Sequence, residues 1–148
     1  MLSDGGKVNQ GEPWVITLKH PENFHVVKNL SVATAPDGSV YVYGYINISW
    51  GDGEDYMFLA KLDSAGTVVW QKSLRESSSD ADRGVSVTTA PDGSVYACGY
   101  TYPNNYSKCG SVAKFNPSGD LQWYKLYNGS SGVSFNSMSV APDGSVCI

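Results

Sequence analysis

Apolar and polar positions along the chain alternate within short segments, and the whole arrangement recurs about every 50 residues. The apolar segments are rich in Val, Tyr and Ile and are bounded by Gly, Pro, Asp and Ser. This pattern predicts short β-strands joined by tight turns. No segment of eleven or more residues shows a convincing helical period. The sequence therefore predicts an all-β fold.

A hexapeptide, Ala-Pro-Asp-Gly-Ser-Val, marks the repeat and begins at Ala35, Ala90 and Ala141, with separations of 55 and 51 residues. Proline presets φ at the first corner of a turn, aspartate tolerates the second, and glycine takes the left-handed position. A second landmark keeps the same step, because segments 60–70 and 113–123 both begin with Ala-Lys and end with Trp. A fixed period of this length indicates a propeller, solenoid or array.

Each repeat divides into four predicted strands. First strands carry small residues, which suits a crowded central axis, and second strands are almost continuously apolar, which suits burial on both faces. Such four-stranded units are typical of propeller blades. A two-layer sandwich is the alternative, but it does not explain the four-strand repeat. The predicted strands are 31–35, 40–46, 57–63 and 68–74, then 86–90, 95–101, 111–116 and 121–127, then 137–141 and 146–148.

The predicted organisation is a single, partial β-propeller over residues 1–148. It has full blades at about 31–74 and 85–127, a half blade at 137–148, and the outer strand of a preceding blade at about 14–20. Joining the two partial blades would close a ring of about three, below the roughly four to eight that propellers use. An open stack would leave strand edges unpaired. The remaining blades are therefore expected from the same longer chain or from a homo-oligomer, for instance two copies with about six blades.

The repeat resembles the bacterial β-propeller repeat family of the SBBP type. Its blades read approximately V-Y-V-x-G-Y-T and then V-A-K-x-[ND]-x-x-G-x-x-x-W, and segments 95–101 and 112–123 fit that pattern. The resemblance covers about 31–148. It implies extracellular, cell-surface or virion-associated use, with a carbohydrate or protein partner. The blade of quinone-dependent dehydrogenases is similar, but this chain has one residue fewer between Asp63 and Gly66.

Composition excludes several classes of partner. The net charge of −4 and the pI near 4.9 argue against binding to a nucleic acid backbone. No apolar run of 18 residues predicts membrane insertion, and the first residues do not read as a signal peptide. The odd number and wide spacing of Cys98, Cys109 and Cys147 fit neither a disulfide framework nor a zinc site. These thiols are expected to be buried bystanders.

The connections between strands indicate where a ligand would bind. In a four-stranded meander, turns one–two and three–four lie on one face, and here they are short and repetitive. The other connections lie on the opposite face, called the long-loop face below, and they are long and irregular. Loops on a rigid scaffold carry function, so a binding site is expected on that face. Its connections are 21–30, 47–55, 75–84, 102–109 and 128–136.

Three of these loops supply candidate ligand-binding residues. One holds Trp50 with Asp52, Glu54 and Asp55, which would stack on a sugar ring and bind its hydroxyls; the alternative is a solvated acidic loop whose Trp packs on a neighbour. Asp80 and Asp82 resemble the start of a calcium loop, but Gly84 falls one position too early, which favours a charged blade lead-in. Asn104 and Tyr106 offer a polar-aromatic contact or belong to an ordinary loop.

The sequence predicts a non-enzymatic module for binding or scaffolding. It contains no recognised nucleophile or phosphate-loop motif, and neither a metal site nor a cofactor is predicted. The recurring Trp14, Trp70 and Trp123 are expected to pack between blades rather than to form a ring of ligand pockets. The alternative is part of a propeller enzyme, either glycan-active or quinone-dependent. Strand ends near the axis offer Ser, Thr and Ala rather than carboxylates, which favours the binding module.

Overall fold

The computed structural model describes residues 3–4, 18–19, 26–47, 55–74, 82–103 and 107–148. These residues form β-strands, turns and loops, and no helix occurs among them that would be long and apolar enough to cross a membrane. The strands are β1 (Ser3–Asp4), β2 (Leu18–Lys19), β3 (Val26–Thr34), β4 (Val40–Asn47), β5 (Asp55–Leu62), β6 (Val68–Leu74), β7 (Arg83–Thr89), β8 (Val95–Thr101), β9 (Cys109–Phe115), β10 (Leu121–Tyr127), β11 (Ser139–Val140) and β12 (Val146–Cys147).

The strands form two four-stranded and two two-stranded antiparallel sheets. The first full blade has the order β3-β4-β5-β6 and the second β7-β8-β9-β10. Strands β1 and β2 pair as a leading unit, and β11 and β12 pair as a third unit. Within each sheet, every strand neighbours the next one in the chain, as in a meander. The predicted all-β class with four-stranded propeller blades is therefore confirmed.

The repeated hexapeptide closes the turn between the first and second strand of each unit. In the first full blade, the Asp37 carboxylate accepts a hydrogen bond of 2.9 Å from the Ser39 N–H. The following glycine has a φ of +81° at Gly38, +80° at Gly93 and +86° at Gly144. A residue with a Cβ rarely adopts this conformation. The structure therefore confirms the Pro-Asp-Gly turns, with glycine in the left-handed position, that the sequence predicts.

The core lies between successive sheets, which pack face to face. One face of the first blade presents Tyr41, Tyr43 and Leu59, and we call it and its equivalents the aromatic face. The facing side of the second blade presents Val87, Val95 and Phe115. The next joint repeats the arrangement with equivalent residues, which are Tyr96, Cys98 and Val112 against Met138, Val140 and Val146. A similar joint therefore connects the first blade to the second and the second blade to the third unit.

The Ala-Lys…Trp segments belong to the packing, as predicted from their recurrence. The rings of Trp70 and Tyr41 lie 5.8 Å apart, centroid to centroid, and those of Trp123 and Tyr96 lie 6.0 Å apart. Lys61 places its ammonium 5.5 Å from the Tyr41 ring centroid, and Lys114 places its own 5.2 Å from that of Tyr96. Trp14 lies outside the described residues.

A glycine in the second strand of each full blade allows the first strand to bulge against it. A Cβ on Gly99 would lie 2.0 Å from the carbonyl oxygen of Arg83, and one on Gly44 would lie 2.8 Å from that of Lys28. The register of the ladder shifts at both places, between Lys28 and Ser31 and between Gly84 and Ser86. With this bulge, β3 begins at Val26, five residues before the predicted start at 31.

The second strands are covered on both faces, as predicted, but the third unit differs. Cys98 in β8 is fully buried, and burial raises the pKa of its thiol to about 11. Cys147 occupies the equivalent of Tyr96 in the repeat and is exposed, so the expectation that it is buried was wrong. The physical reason is that Tyr96 lies under the next unit, whereas no sheet among the described residues follows β12.

Candidate functional site

The three loops that carry the predicted ligand-binding residues meet at their described ends. Asp55 begins β5, Asp82 immediately precedes β7, and Thr101 ends β8. The backbone N–H of Asp82 donates a hydrogen bond of 3.1 Å to the carbonyl of Asp55. The Thr101 hydroxyl donates a hydrogen bond to the Asp82 carboxylate. The described ends of three of the long connections, at Asp55, Asp82 and Thr101, therefore lie together.

Arg83 donates hydrogen bonds to two residues of this region, Asp55 and Tyr100. Its Nε donates to Oδ2 of Asp55 at 2.8 Å, and its Nη1 donates to the hydroxyl of Tyr100 at 3.3 Å. The guanidinium carbon lies 5.4 Å from the ring centroid of Tyr45 and 6.0 Å from that of Tyr100. Partial burial opposes the charge, but the hydrogen bonds to Tyr100 and Asp55 hold the pKa of Arg83 above its ordinary value. The site thus contains a permanent, fixed positive charge.

Both described carboxylates of the site are buried. Asp55 is 4% exposed and Asp82 is not exposed at all. Asp55 itself is therefore not solvated, and Asp82 is a buried charged residue in the lead-in to β7. A carboxylate withdrawn from water is costly unless it is paired or hydrogen-bonded. Arg83 pairs with Asp55 and Thr101 donates to Asp82, which accounts for their burial. We call Asp55, Asp82, Arg83 and Thr101 the polar cluster.

The polar cluster departs from the repeat at buried positions. Asp82 aligns with Val27 in the first full blade and with Val133 in the third unit, and Thr101 aligns with Ile46. Apolar side chains at these positions would satisfy the packing. The cluster is therefore an addition to the repeated core at one joint, between the first and second full blades.

Aromatic and cationic side chains continue the site toward the third unit. The rings of Tyr100 and Tyr102 meet edge to face with centroids 5.9 Å apart. The ammonium of Lys108 lies 4.4 Å from the ring centroid of Tyr100 and 6.0 Å from that of Tyr102. In the part of the chain that the structure describes, no carboxylate lies within ion-pair distance of Lys108.

Two of the eight predicted ligand-binding residues can be placed, and both belong to the polar cluster. These are Asp55 and Asp82; Trp50, Asp52, Glu54, Asp80, Asn104 and Tyr106 lie outside the described residues. Sequence reasoning missed Arg83, Thr101, Tyr100, Tyr102 and Lys108. For Thr101 the sequence offered a signal, because a polar residue stands where the first full blade has the apolar Ile46. Within the described ranges, no group of three or more His, Cys, Asp or Glu side chains is placed to hold a metal ion.

A concavity lies on the opposite face, where the hexapeptide turns converge. It is an open, largely apolar groove of about 480 Å³. The hydroxyl of Thr89 donates a hydrogen bond of 2.6 Å to the carbonyl of Thr34 beside it, which links two inner strands. The sequence did not predict this groove, since it arises only when the three turns are brought together. Its lining is Thr34, Ala35, Pro36, Thr89, Ala90, Pro91, Val140, Ala141 and Pro142.

The four-stranded blades and their repeated joint define a β-propeller protein, and comparison with known proteins agrees. Residues 90–121 match the model of a family described as a domain of unknown function (DUF5122) beta-propeller. Among solved structures, the chain is similar to one named Hadza microbial sialidase Hz136, with a TM-score of 0.59 and 14% sequence identity. The match covers 79% of this chain and 28% of that one. No curated protein matches the chain.

At 14% identity the likeness to the sialidase structure shows the fold alone. The chain spans little more than a quarter of that protein's length, 28%. The family match is confined to the second full blade, from its first turn to the start of β10. The more specific assignment to repeats of the SBBP type stays a prediction.

Proposed function

We propose that this β-propeller is a non-enzymatic binding module whose ligand, a carbohydrate, docks on the long-loop face beside the polar cluster. The observation that carries the proposal is the convergence of three irregular loops on Asp55, Asp82 and Thr101. These loops also hold Trp50, Asp52, Glu54, Asp80, Asn104 and Tyr106. The alternative ligand for such a binding module is a protein surface. The experiment below distinguishes a carbohydrate ligand from a protein ligand.

The described side chains suit recognition of a sugar. A binding site needs a few fixed polar groups beside apolar or aromatic surface. Arg83 is fixed by Asp55 and Tyr100, and Lys108 offers an ammonium that has no carboxylate partner among the described residues. The edge-to-face pair of Tyr100 and Tyr102 supplies aromatic surface next to both cations. Tryptophan and tyrosine in the neighbouring loops would extend that surface.

The state of the two buried carboxylates supports binding rather than catalysis. Asp55 is engaged by Arg83 and Asp82 by Thr101, so each is held in place by a donor from the protein. Groups held in this way position neighbouring loops. A glycan-active enzyme is the second candidate, because the similar solved structure is named a sialidase. Release of free sugar from a bound glycan would distinguish this candidate.

A glycan array probed with the labelled protein tests the proposal. We expect selective binding to a group of related glycans, and no release of free sugar from them on prolonged incubation. Lys108→Ala removes the cation beside Tyr100 and should weaken binding about 10-fold, which corresponds to ~1.4 kcal/mol. Trp50→Ala should weaken binding by at least as much if that ring stacks on the sugar.

Lys125→Ala is the matched control. Lys125 also lies over an aromatic ring, 5.1 Å from the centroid of Trp123, but on the outer strand β10. Its substitution removes the same charge and a similar contact, so glycan binding should remain unchanged. Equal loss of binding in both variants would contradict the assigned site. Binding to a cell-surface protein but to no glycan would replace the carbohydrate by a protein partner.

A further inference from the structure

One dipeptide of the chain combines two residues that can react with each other. Asn128 is the only asparagine of the sequence that is followed by glycine. Asparagine is a chemically labile residue, because the backbone nitrogen of the next residue can close a five-membered ring onto its side-chain carbon Cγ. Glycine has no Cβ to obstruct that closure. The pair Asn128 and Gly129 is therefore a candidate modification site.

The fold leaves this dipeptide outside its strand ladders. Strand β10 ends at Tyr127, which pairs with Gly110 at the last position of the ladder. Asn128 and Gly129 follow directly, and both residues are exposed to water. Among the described residues, the Gly129 N–H donates to no backbone carbonyl. Attack by this nitrogen therefore breaks no hydrogen bond of the sheet.

Asn116, in the turn after β9, shows how the fold protects an asparagine. Its Nδ2 donates a hydrogen bond of 3.0 Å to Oδ2 of Asp120, and its Oδ1 accepts one of 2.8 Å from the Asp120 N–H. The residue that follows is Pro117, which has no N–H to lose. Asn116 should therefore stay intact.

Asn136 is the reference within the same connection, 128–136. It is exposed, as Asn128 is. It is followed by Ser137, whose Cβ obstructs the ring closure that Gly129 permits. A difference in reactivity between Asn128 and Asn136 therefore measures the effect of the following residue in one exposed connection.

We propose that Asn128 is a site of spontaneous deamidation, at which the long-loop face acquires a carboxylate as the protein ages. The Gly129 nitrogen gives its proton to solvent and forms a bond to Cγ of Asn128. The bond between Cγ and Nδ2 breaks, and Nδ2 takes up a proton and leaves as ammonia.

Water, the only co-reactant, then opens the succinimide ring at one of its two carbonyl carbons. Hydrolysis of the bond from nitrogen to Cγ gives aspartate at position 128. Hydrolysis of the bond from nitrogen to the main-chain carbonyl carbon gives isoaspartate, in which the main chain runs through Cγ. No oxidation or reduction takes place in either branch.

The connection that carries the modification packs against Lys108. The Val133 N–H donates a hydrogen bond of 2.8 Å to the carbonyl of Lys108, and a Cβ on Gly132 would lie 3.3 Å from Cβ of Lys108. The Gly132 N–H in turn donates a hydrogen bond of 3.1 Å to the carbonyl of Gly129. Deamidation adds a negative charge at the start of this turn, and isoaspartate also lengthens the main chain there. Both products therefore alter the surroundings of the Lys108 ammonium.

Mass spectrometry of aged protein tests the proposal. The folded chain is kept in mildly alkaline buffer and then digested with trypsin at slightly acidic pH, which suppresses reaction during digestion. Residues 126–148 contain no lysine or arginine, so Asn128 and Asn136 fall in one tryptic peptide, and fragmentation distinguishes them. Asn128 should convert at least about 10-fold faster than Asn136, because Ser137 carries a Cβ. Conversion of Asn128 no faster than that of Asn136 would overturn the proposal.

Two reciprocal variants test the role of the following residue. Gly129→Ala should slow the conversion of Asn128 about 10-fold or more, and Ser137→Gly should speed that of Asn136 by a similar factor. The Cβ added at position 129 would lie 3.1 Å from Cγ2 of Val133, so far-UV circular dichroism checks the fold. If Gly129→Ala does not fold, Ser137→Gly alone decides. An unchanged rate in a folded variant would contradict the assigned chemistry.

The charge gives an independent readout in the intact protein. Anion-exchange chromatography of the aged chain should develop a later-eluting species, because each conversion adds a carboxylate. Asn128→Gln should prevent this species, since the longer side chain would need a larger ring. An acidic species that forms undiminished in Asn128→Gln would place the reaction at another residue.

Discussion

The indole ring of Trp70 lies directly against Gly119, and the two residues belong to different full blades. A Cβ on Gly119 would approach Cε2 and Cζ2 of the indole to 2.9 Å. Gly119 also has a φ of +85°, in the turn between β9 and β10. The outer strand of one blade therefore fits into a turn of the next only because that turn carries no side chain at this point.

Substitution of Gly119 should destabilise the chain more than substitution of an equivalent turn glycine. Gly38 has a similar φ of +81°, but its Cβ would meet only Cβ of Ser64 at an ordinary 3.6 Å. Both Gly→Ala changes incur left-handed strain of roughly 1–2 kcal/mol. Gly119→Ala adds the displacement of Trp70, roughly 1–3 kcal/mol for overpacking. Urea denaturation of the two variants measures the difference, and equal losses would contradict the contact.

Truncation of the same repeat position in two blades should have unequal effects. Val87→Ala leaves a void in the buried core between the blades, with an expected cost of roughly 1–3 kcal/mol in the free energy of unfolding. Val32→Ala removes exposed methyl groups and should change that free energy by less than about 0.5 kcal/mol. Urea denaturation compares the two variants. Similar costs would mean that Val32 is already covered.

Asp82 and Thr101 can be replaced by the apolar residues found at the same positions of the first full blade. These variants should show whether the polar cluster contributes to folding stability, to ligand binding or to both. Thr101→Ile removes the hydroxyl that donates to the buried carboxylate of Asp82 and should cost roughly 1–3 kcal/mol. Asp82→Val together with Thr101→Ile recreates the pair Val27 and Ile46 of the first full blade. Replacement of both partners by apolar groups is often neutral or stabilising.

We therefore expect the double variant to unfold at a higher urea concentration than Thr101→Ile. The same variant should bind glycans more weakly than the parent chain, because it lacks the group that orients the loops. A double variant that is both less stable than Thr101→Ile and normal in binding would assign the cluster a purely structural role.

Acidification should weaken the hexapeptide turns. Hydrogen bonds from the backbone N–H and the hydroxyl of the serine two residues on hold the pKa of Asp37, Asp92 and Asp143 below the ordinary value. A folded-state pKa that is lowered contributes stability above the unfolded-state pKa of about 3.9. That contribution is lost as the pH falls through the lower folded values.

The triple Asp→Asn variant keeps an acceptor in each turn but removes the titration. Its free energy of unfolding, measured by urea denaturation from neutral pH down to about pH 2.5, should therefore fall less steeply below about pH 4 than that of the parent chain. Identical acid limbs in the two proteins would show that these carboxylates do not govern the acid response.

The sequence was sufficient for the blade pattern because local chemistry determines it. The apolar and aromatic residues of segments such as 95–101 specify strands, and the Pro-Asp-Gly corners specify turns, without distant information. The start of β3 at Val26 was missed, since the bulge at Lys28 becomes possible only when Gly44 of the next strand lies against it. Contacts between residues that are distant in the sequence therefore determine where such a strand begins.

The same reasoning from the sequence predicted only part of the candidate site. Asp55 and Asp82 stood out as loop carboxylates, but their burial depends on Arg83 and Thr101, which come from other strand ends. Nothing in a single segment shows that these four groups converge. The exposure of Cys147 likewise depends on what lies beside its unit rather than on its own apolar neighbours.

The similarity of the two described joints has a consequence for how such proteins change over evolutionary time. At both of them, tyrosine in a second strand packs against aliphatic residues of the next unit, so a duplicated unit finds a suitable neighbour on both sides without new substitutions. Copy number is then free to vary by gene duplication and loss. Novelty is left to junctions such as that between the two full blades, where polar residues have replaced the shared apolar ones.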